Sequence, residues 1–501
     1  MIALLALRNF RYRPWRSALL FLGYGMGVTV MIVLLSIGEA LIAQASDERL
    51  VGGGDVTVLP EGLDVEVMKT GGLGGLFFSI GNARFVYSQV LTSPRLAGGV
   101  RAVSPQIEGK LLYLRTADGV ERTVRGSGEV PSATRAVGAG PALRAGTWTD
   151  DEGDRRWARP TLAELRHEMD HFHVPPADVE GAETWAEWHY FNVLSADSRR
   201  WAFVALIVNG DVRGSEWGGR FTVTLREQGG GTRRYAAVAR PVAVRFSTTD
   251  ANLRVGDASV TVLPDGRYRV VGTAAAEPGE PPGAVSVDLV VTPAPGAYLP
   301  SAARGTDDSF GYVVPGLRAT AAGEICASGA CERFDGAQSY HDHNWGVWRG
   351  VTWEWGASRA GAFTVLYGRV HADGAPPGGT LYVYLVDSLG FRAAFRPARI
   401  VYEDRRELTA DGRRLRVPSR ASLLDVRGAD TLRIEVEVED AIATDFSGLL
   451  AEAGAGSALR PLAAGAPRPL FIQMKGRMRL TGRVGGAPVR GEGAGFFETY
   501  R

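Results

Sequence analysis

An acid set among aromatic residues has the clearest chemical meaning in this sequence. Asp342 lies in the segment 340–348, YHDHNWGVW, and four of the eleven tryptophans of the chain fall close together: Trp345, Trp348, Trp353 and Trp355. A carboxylate surrounded by aromatic rings is poorly solvated when charged, so its pKa rises and it stays protonated at neutral pH. Such a carboxyl can act as a general acid. We therefore predict a pocket for a long apolar ligand, lined by these tryptophans.

Polar neighbours and a second aromatic segment extend the predicted pocket. The segment 187–192, EWHYFN, sets large aromatic residues at alternating positions, as expected of a strand that fills a wide barrel. The remaining predicted ligand-binding residues are His343, Asn344, Glu187, Trp188 and Tyr190. The plainer alternative is an ordinary aromatic core, in which Glu187 and Asp342 are hydrogen-bonded and the histidines beside Asp342 are exposed.

A metal-binding pattern occurs earlier in the chain. Residues 167–171, HEMDH, match the H-E-x-x-H of zinc metalloproteases, and His173 follows. In those enzymes two histidines one helical turn apart bind zinc and the glutamate activates water. Here Pro175 and Pro176 would end a helix within a turn of His171. We therefore expect no resident metal or cofactor, and a zinc hydrolase stays an alternative that bound metal would establish.

These motifs resemble those of the carotenoid 1,2-hydratase (hydroxyneurosporene synthase) and AttH-like family. The resemblance extends over about residues 170–501 and is carried by 187–192, 340–346 (YHDHNWG) and 489–498 (VRGEGAGFFE). The Tyr-x-Asp-x-Asn-Trp-Gly core is its most specific part. His189 departs from the pattern, because many relatives carry a second tryptophan at that position.

The resemblance implies a lipocalin-like fold with two barrel halves and a site for an apolar polyene or isoprenoid. It assigns the proton donor to Asp342, with Tyr340 nearby. The implied reaction is acid-catalysed hydration of an isolated C=C bond, in which aromatic faces such as those of Trp345 and Tyr340 shield the carbocation. Some family members have no established hydratase activity. A lipid-binding carrier without catalysis is therefore the alternative.

Strand signals dominate the chain after residue 190. Segment 201–208, WAFVALIV, is typical of a buried strand, and 260–271 predicts a hairpin turning at Pro-Asp-Gly. The fold class is mainly β, with two tandem lipocalin-like antiparallel β-barrels preceded by one transmembrane helix and a small α+β domain. The predicted domains are an anchor with its basic flank (1–45), an extracytoplasmic domain (46–160), a linker (161–184), a first barrel (185–330) and a second barrel (331–501).

The N-terminal segment predicts a membrane anchor. Residues 17–37 carry no charge, and the arginines before them are Arg8, Arg11, Arg13 and Arg16. About 20 residues in a helix cross the roughly 30 Å hydrocarbon core. Basic residues remain in the cytoplasm, so the bulk of the chain is predicted to be periplasmic or otherwise extracytoplasmic. A signal peptide cleaved near residues 43–45, AQA, is the alternative.

The same segment resembles the start of MacB/FtsX-type ABC transporter permeases. Residues 7–20, 35–40 and 53–58 carry this resemblance, which covers roughly the first 150 residues. Such permeases have further membrane helices, and this sequence contains neither a second apolar run of spanning length nor a Walker A loop. The resemblance therefore implies a partner subunit of a transporter ATPase and permease.

Charge and cysteine content bound the remaining possibilities. Lysine and arginine number 56 and aspartate and glutamate 55, so no net field attracts nucleic acid, and none is expected as a partner. The only cysteines, Cys326 and Cys331, are close enough to form a small disulfide if the region lies outside the cytoplasm. Two free thiols in a turn are the alternative.

Overall fold

The computed structural model describes most of the chain in stretches separated by gaps. The described residues are 14–45, 80–96, 98–117, 119–138, 149–161, 164, 170–177, 179–228, 230–299, 310–348, 351–371, 381–410, 413–445 and 470–500. By their contacts they form two compact units. The first comprises Met1–Phe78 with Gly99–Ala158, and the second comprises Ser79–Gly98 with Arg159–Arg501.

The described elements are helices in the N-terminal third and strands thereafter. The helices are α1 (Pro14–Ala45), α2 (Ile80–Thr92), α3 (Pro131–Ala136) and α4 (Glu152–Ala158). The strands are β1 (Gln106–Arg115), β2 (Glu121–Glu129), β3 (Trp185–Leu194), β4 (Arg200–Gly210), β5 (Trp217–Glu227), β6 (Thr232–Ala239), β7 (Val244–Phe246), β8 (Leu253–Val255), β9 (Ala258–Val262), β10 (Tyr268–Ala276), β11 (Ala284–Pro293), β12 (Phe310–Ala327), β13 (Ala330–Arg333), β14 (Ala337–Val347), β15 (Thr352–Ala360), β16 (Phe363–His371), β17 (Tyr382–Asp387), β18 (Gly390–Phe395), β19 (Val401–Glu403), β20 (Arg406–Ala410), β21 (Arg413–Val417), β22 (Arg420–Arg427), β23 (Asp430–Asp445), β24 (Leu470–Val484) and β25 (Ala487–Tyr500).

The first unit combines one long apolar helix with a small α+β part. Within α1, the stretch Pro14–Ile37 is long and apolar enough to cross a membrane, and it is the one such helix in the part of the chain that the structure describes. Its large side chains are exposed, as at Phe21 and Leu34. A signal sequence shares these properties, so the anchor's orientation stays a prediction. Strands β1 and β2 form an antiparallel hairpin, and helices α3 and α4 follow it in the sequence.

The first large sheet of the second unit closes into a barrel of eight strands. Its pairing runs through β11, β12, β14, β3, β4, β5, β6 and β10, and β10 then pairs with β11. All these pairings are antiparallel. Closure leaves no edge in the ring, and strands β7 to β9 extend it beside β10. The enclosed core includes Phe191, Leu206, Phe221 and Tyr268.

The second large sheet has nine antiparallel strands and curls around a core of its own. Its order is β18, β17, β16, β15, β25, β24, β23, β22 and β19, and β20 and β21 form a separate hairpin. The core includes Tyr367, Leu385, Met478 and Phe497. Two antiparallel β bodies preceded by one apolar helix confirm the fold class expected from the sequence.

Strand pairing crosses the domain limits expected from the sequence. The first barrel was expected to end at residue 330, but β14 completes it by pairing with β12 on one side and β3 on the other. Residues 161–184 were expected to form a linker, yet Phe172 is buried in the first barrel's core. Helix α2, expected in the domain 46–160, groups with the second unit. A barrel closes only when its last strand pairs with its first, and local sequence pattern does not reveal that requirement.

Strands β12 and β13 form a hairpin closed by a disulfide. Cys326 and Cys331 are paired across it, and their sulfur atoms are bonded. The structure thus contains the disulfide that the spacing of the two cysteines predicts.

Candidate active site

Strand β14 presents two different sets of polar side chains on its two faces. Tyr340, Asp342 and Asn344 share one face because side chains alternate along a strand. His341 and His343 share the opposite face, where His341 stacks on Phe191 in the core of the first barrel at 4.0 Å between ring centroids. Strand β3 alternates in the same way. The two faces therefore form two separate sites.

An aromatic pocket lies between the face of Asp342 and the second sheet. The empty volume of the pocket, including the solvent at its open mouth, is about 1160 Å³. The aromatic residues that line it are Trp188, Tyr190, Phe203, Tyr235, Tyr312, Trp348, Trp353, Trp355 and Phe471. The polar lining residues are Asn209, Thr222, Thr224, Arg234, Glu277, Asp342, Asn344, Gln473 and Glu498. Apolar walls with a few convergent polar groups are characteristic of small-molecule sites.

Hydrogen bonds fix the Asp342 carboxyl in the pocket wall. The Tyr340 hydroxyl donates to Oδ2 of Asp342 at 2.8 Å, and Nδ2 of Asn344 donates to Oδ1 at 2.8 Å. The indole N–H of Trp355 in turn donates to the Tyr340 oxygen at 2.8 Å. Each carboxyl oxygen accepts one bond here and retains a second position, where a neutral acid can carry its proton. The chain Trp355, Tyr340, Asp342 thus orients the acid.

Burial favours the protonated form of Asp342. Its side chain is 5% exposed. Burial, and next the negative charge of Glu498, raise its pKa well above 3.8, against the opposing hydrogen bonds from Tyr340 and Asn344. Burial and the nearby Asp342 also raise the pKa of Tyr340 well above 10.0, so the tyrosine stays a donor. The carboxyl that faces the pocket is therefore held towards its neutral, proton-donating form.

A second carboxyl group, Glu498 of β25, faces the same pocket. Burial raises its pKa to about 7, although hydrogen bonds with Gln473, Tyr190 and Trp353 lower it. Nε2 of Gln473 lies 3.4 Å from Oε1 of Glu498 and 3.3 Å from the Tyr190 hydroxyl. Two buried carboxyl groups with raised pKa values thus face one pocket, and such a pair can divide the roles of acid and base.

The structure separates the residues that the sequence grouped as one ligand site. Those lining the pocket are Asp342, Asn344, Trp188, Tyr190, Trp348, Trp353 and Trp355, and Tyr340 bonds to two of them. Glu187, His343 and Trp345 lie on the other faces of β3 and β14. Trp345 packs with Trp185 and Tyr298 rather than on the pocket.

Sequence reasoning missed Glu498, Gln473 and Phe471, which come from β24 and β25. A signal for Glu498 existed, because the segment 489–498 resembles the closing strand of the hydratase family and ends on this acid. Alternation on β25 puts Glu498 on the opposite face from Phe497, which is buried in the core of the second sheet. Gln473 and Phe471 carried no such signal.

The opposite faces of β3 and β14 hold a second polar cluster, inside the first barrel. His343 lies between two acids, with Nδ1 at 2.7 Å from Oδ1 of Asp170 and Nε2 at 2.8 Å from Oε1 of Glu187. Burial lowers the pKa of His343 well below 6.5 and raises the pKa of Glu187 well above 4.5. A neutral His343 ring donates from one nitrogen and accepts at the other, so it joins the two acids. Of the expected H-E-x-x-H pattern, His167 and Glu168 lie outside the described residues.

Comparisons with known proteins find structural likeness only. No protein-family model matches the chain, and no curated protein sequence matches it. Solved structures similar to 66% of this chain include an AttH protein from Nitrosomonas europaea (14% identity, TM-score 0.45, 97% of that chain) and kievitone hydratase from Nectria haematococca (10% identity, TM-score 0.37, 97% of that chain). CghA with Sch210972 is similar over 65% of this chain and 94% of its own, at 14% identity and a TM-score of 0.41. The permease resemblance stays a prediction.

Proposed function

We propose that the protein binds an apolar polyene or isoprenoid in the aromatic pocket and adds water across one of its C=C bonds. The observation that carries this proposal is a buried carboxylic acid, Asp342, with a raised pKa in the wall of that pocket. An alkene is a weak base, so its protonation needs an acid that is positioned and neutral at the working pH.

The reaction balances with two of the carboxyl groups that line the pocket, Asp342 and Glu498. Asp342 transfers its proton to one alkene carbon, leaving a carbocation on the other and a carboxylate on the enzyme. The faces of Trp353 and Trp355 and the ring of Tyr190 stabilise that cation through their quadrupoles. Water adds to the cation, its proton passes to ionised Glu498, and return of this proton to Asp342 restores the starting state.

The proposed substrate agrees with a membrane location. An apolar polyene is dissolved in the bilayer, so a tether through α1 would hold the pocket near its supply. The proposal places the N-terminus in the cytoplasm and the pocket outside. If ligand binds but is not converted, the protein is instead a carrier, which the permease resemblance would pair with transporter subunits.

Labelled water tests the reaction directly. Purified full-length protein in mild detergent is incubated with an acyclic carotenoid or with squalene in ¹⁸O-water, and the extracted lipid is analysed by mass spectrometry. We expect a product that has gained one labelled water. Recovery of unchanged ligand bound to the protein would support the carrier and contradict the hydratase.

Glu498→Gln tests the proposed base through the pH dependence of hydration. Because the pKa of Glu498 is about 7, its base form is present above that pH and is lost below it. We expect the wild-type rate to exceed the variant rate by about 10²-fold above neutral pH, and by a shrinking factor as pH falls below about 6. Initial rates measured from about pH 5 to about pH 9 check this.

Glu492→Gln is the matched control on the same strand. Its side chain is 42% exposed, beside Arg477 and Arg479, and its rate profile should follow the wild type. A constant ratio of wild-type to Glu498→Gln rates across the pH range would exclude Glu498 as the base.

A further inference from the structure

The interior of the first barrel contains a buried cluster of metal-ligating side chains that the proposed reaction does not use. The cluster comprises Asp170, His173, Glu187, His189, His341 and His343. All except His173 are at most 2% exposed. Polar groups buried this deeply destabilise a fold unless they are fully paired or bind a ligand. We therefore expect the polar atoms of this cluster either to bind a ligand or to be completely paired with one another.

Three members of the cluster converge on one point. One ligand atom each from Asp170, His189 and His341 lies within 4.8 Å of the others. Zinc binds imidazole nitrogen and carboxylate oxygen at about 2.0–2.2 Å, which places the ligands of one ion roughly 3.5 Å apart. Small side-chain rotations would bring the three atoms to that spacing. Two histidines and one carboxylate are also the ligand set of iron(II) sites with open positions.

Outer hydrogen bonds already orient two of these ligands. Nδ1 of His341 lies 3.0 Å from the backbone carbonyl oxygen of Tyr190. A carbonyl cannot donate, so Nδ1 carries the hydrogen and the lone pair is on Nε2, which lies 3.9 Å from Oδ2 of Asp170. The Tyr268 hydroxyl donates to the same Asp170 oxygen. Metal-ligating histidines and carboxylates are characteristically held by such outer bonds.

His189 supplies an independent observation. Its side chain is 2% exposed, and its Nδ1 atom has no hydrogen-bond partner in the part of the chain that the structure describes. A buried polar atom without a partner costs about 1–3 kcal/mol. The His189 ring lies beside that of His341, with centroids 5.4 Å apart. A metal ion bound through Nδ1 would satisfy this nitrogen.

The neighbouring group of His173, Glu187 and His343 is internally paired. Both oxygens of Glu187 accept from the backbone N–H of His173 at 2.9 Å, and His343 bonds to Glu187 and Asp170. These residues already use their polar atoms with one another. The hydrogen bond between His343 and Oδ1 of Asp170 also holds the Asp170 carboxyl group in place.

We propose that Asp170, His189 and His341 form a binding site for one divalent transition-metal ion, zinc or iron(II), inside the first barrel. The ion would join the segment before β3 to β3 and β14, and so stabilise the closure of the barrel. The H-E-x-x-H pattern of the sequence contributes its aspartate, and the histidine ligands come from strands far along the chain. Sequence spacing could not predict this set.

Metal analysis of purified full-length protein, prepared without chelators, tests the site. We expect about one zinc or iron per chain, and elemental analysis distinguishes the two. His189→Gln should reduce the metal content at least tenfold, whereas Asp288→Asn, an exposed aspartate of the same barrel, should retain it. Chelation should lower the melting temperature of the wild type, and Zn²⁺ or Fe²⁺ should restore it.

If His189→Gln does not fold, a measurement on the wild type alone still tests the site. Co²⁺ added to the chelated protein should give the intense visible absorption of a low-coordinate nitrogen and oxygen site. Metal-free wild type whose melting temperature Zn²⁺ and Fe²⁺ leave unchanged would overturn the proposal, as would full metal content in folded His189→Gln. The cluster would then be a hydrogen-bonded network without a metal.

Discussion

Asp342→Asn is expected to lower the hydration rate by about 10²–10⁴-fold while the protein still folds and binds its ligand. Asparagine has nearly the same shape as aspartate but no acidic proton to give to the alkene. Neutral Asp342 and asparagine carry the same charge, so the aromatic pocket should accept both. Product formation and ligand affinity, measured separately on the two proteins, check this expectation.

Stability against pH gives this substitution a second readout. The pKa of Asp342 is raised in the folded state, so the native protein binds this proton more tightly than the unfolded chain does. The wild type should therefore lose stability relative to Asp342→Asn as pH rises above the ordinary value of 3.8. Unfolding of both proteins in denaturant at several pH values measures the difference.

The matched control for Asp342→Asn is Asp288→Asn. Asp288 is 57% exposed and pairs with Arg269 on the surface, so its loss should leave the hydration rate unchanged. Near-normal turnover in Asp342→Asn would contradict the mechanism and show that Asp342 is a structural residue. Loss of ligand binding together with turnover would instead assign it to positioning the ligand.

Trp345→Ala should destabilise the protein by about 3–5 kcal/mol without changing ligand affinity. The Trp345 ring is 1% exposed and stacks on His173 at 3.6 Å between centroids. It fits closely against Gly311, where an added Cβ would lie 2.3 Å from Cζ2 of the indole. Truncation leaves a cavity that close packing cannot fill. Melting temperature, expected to fall by roughly 10 °C, and ligand titration check both parts.

Trp353→Ala is the counterpart on the pocket side. The Trp353 ring lines the pocket and contacts Phe471 at 5.6 Å between centroids. Its truncation enlarges a space that the ligand occupies, and affinity should fall at least tenfold. If Trp345→Ala does not fold, Trp345→Phe, which keeps an aromatic ring, replaces it in the ligand titration. Weakened ligand binding by folded Trp345 variants would contradict the separation of the two faces.

Much of the fold followed from local pattern. Period-two alternation along segments such as 285–291 indicates strands because only one backbone geometry turns successive side chains to opposite faces. The uncharged run 17–37 forms part of helix α1. Cys326 and Cys331 are joined because a hairpin end brings close neighbours in the chain together.

The division of β14 between two sites did not follow from the sequence. Alternation shows that Tyr340, Asp342 and Asn344 share a face. It does not show which face turns inward, because both faces of β14 are largely buried, and the usual contrast between a polar and an apolar face is missing. Only the closure of the first barrel through β3 and the packing of the second sheet decided this.

The sequence by itself determined the β architecture, the apolar helix, the disulfide and the acid among aromatic rings, since each depends on neighbours in the chain. The tertiary structure alone decided that Trp345 and His343 leave the pocket, that Glu498 enters it, and that Asp170 meets His189 and His341. Those contacts join residues distant in sequence. Barrel closure and sheet packing position them, and no local spacing encodes either.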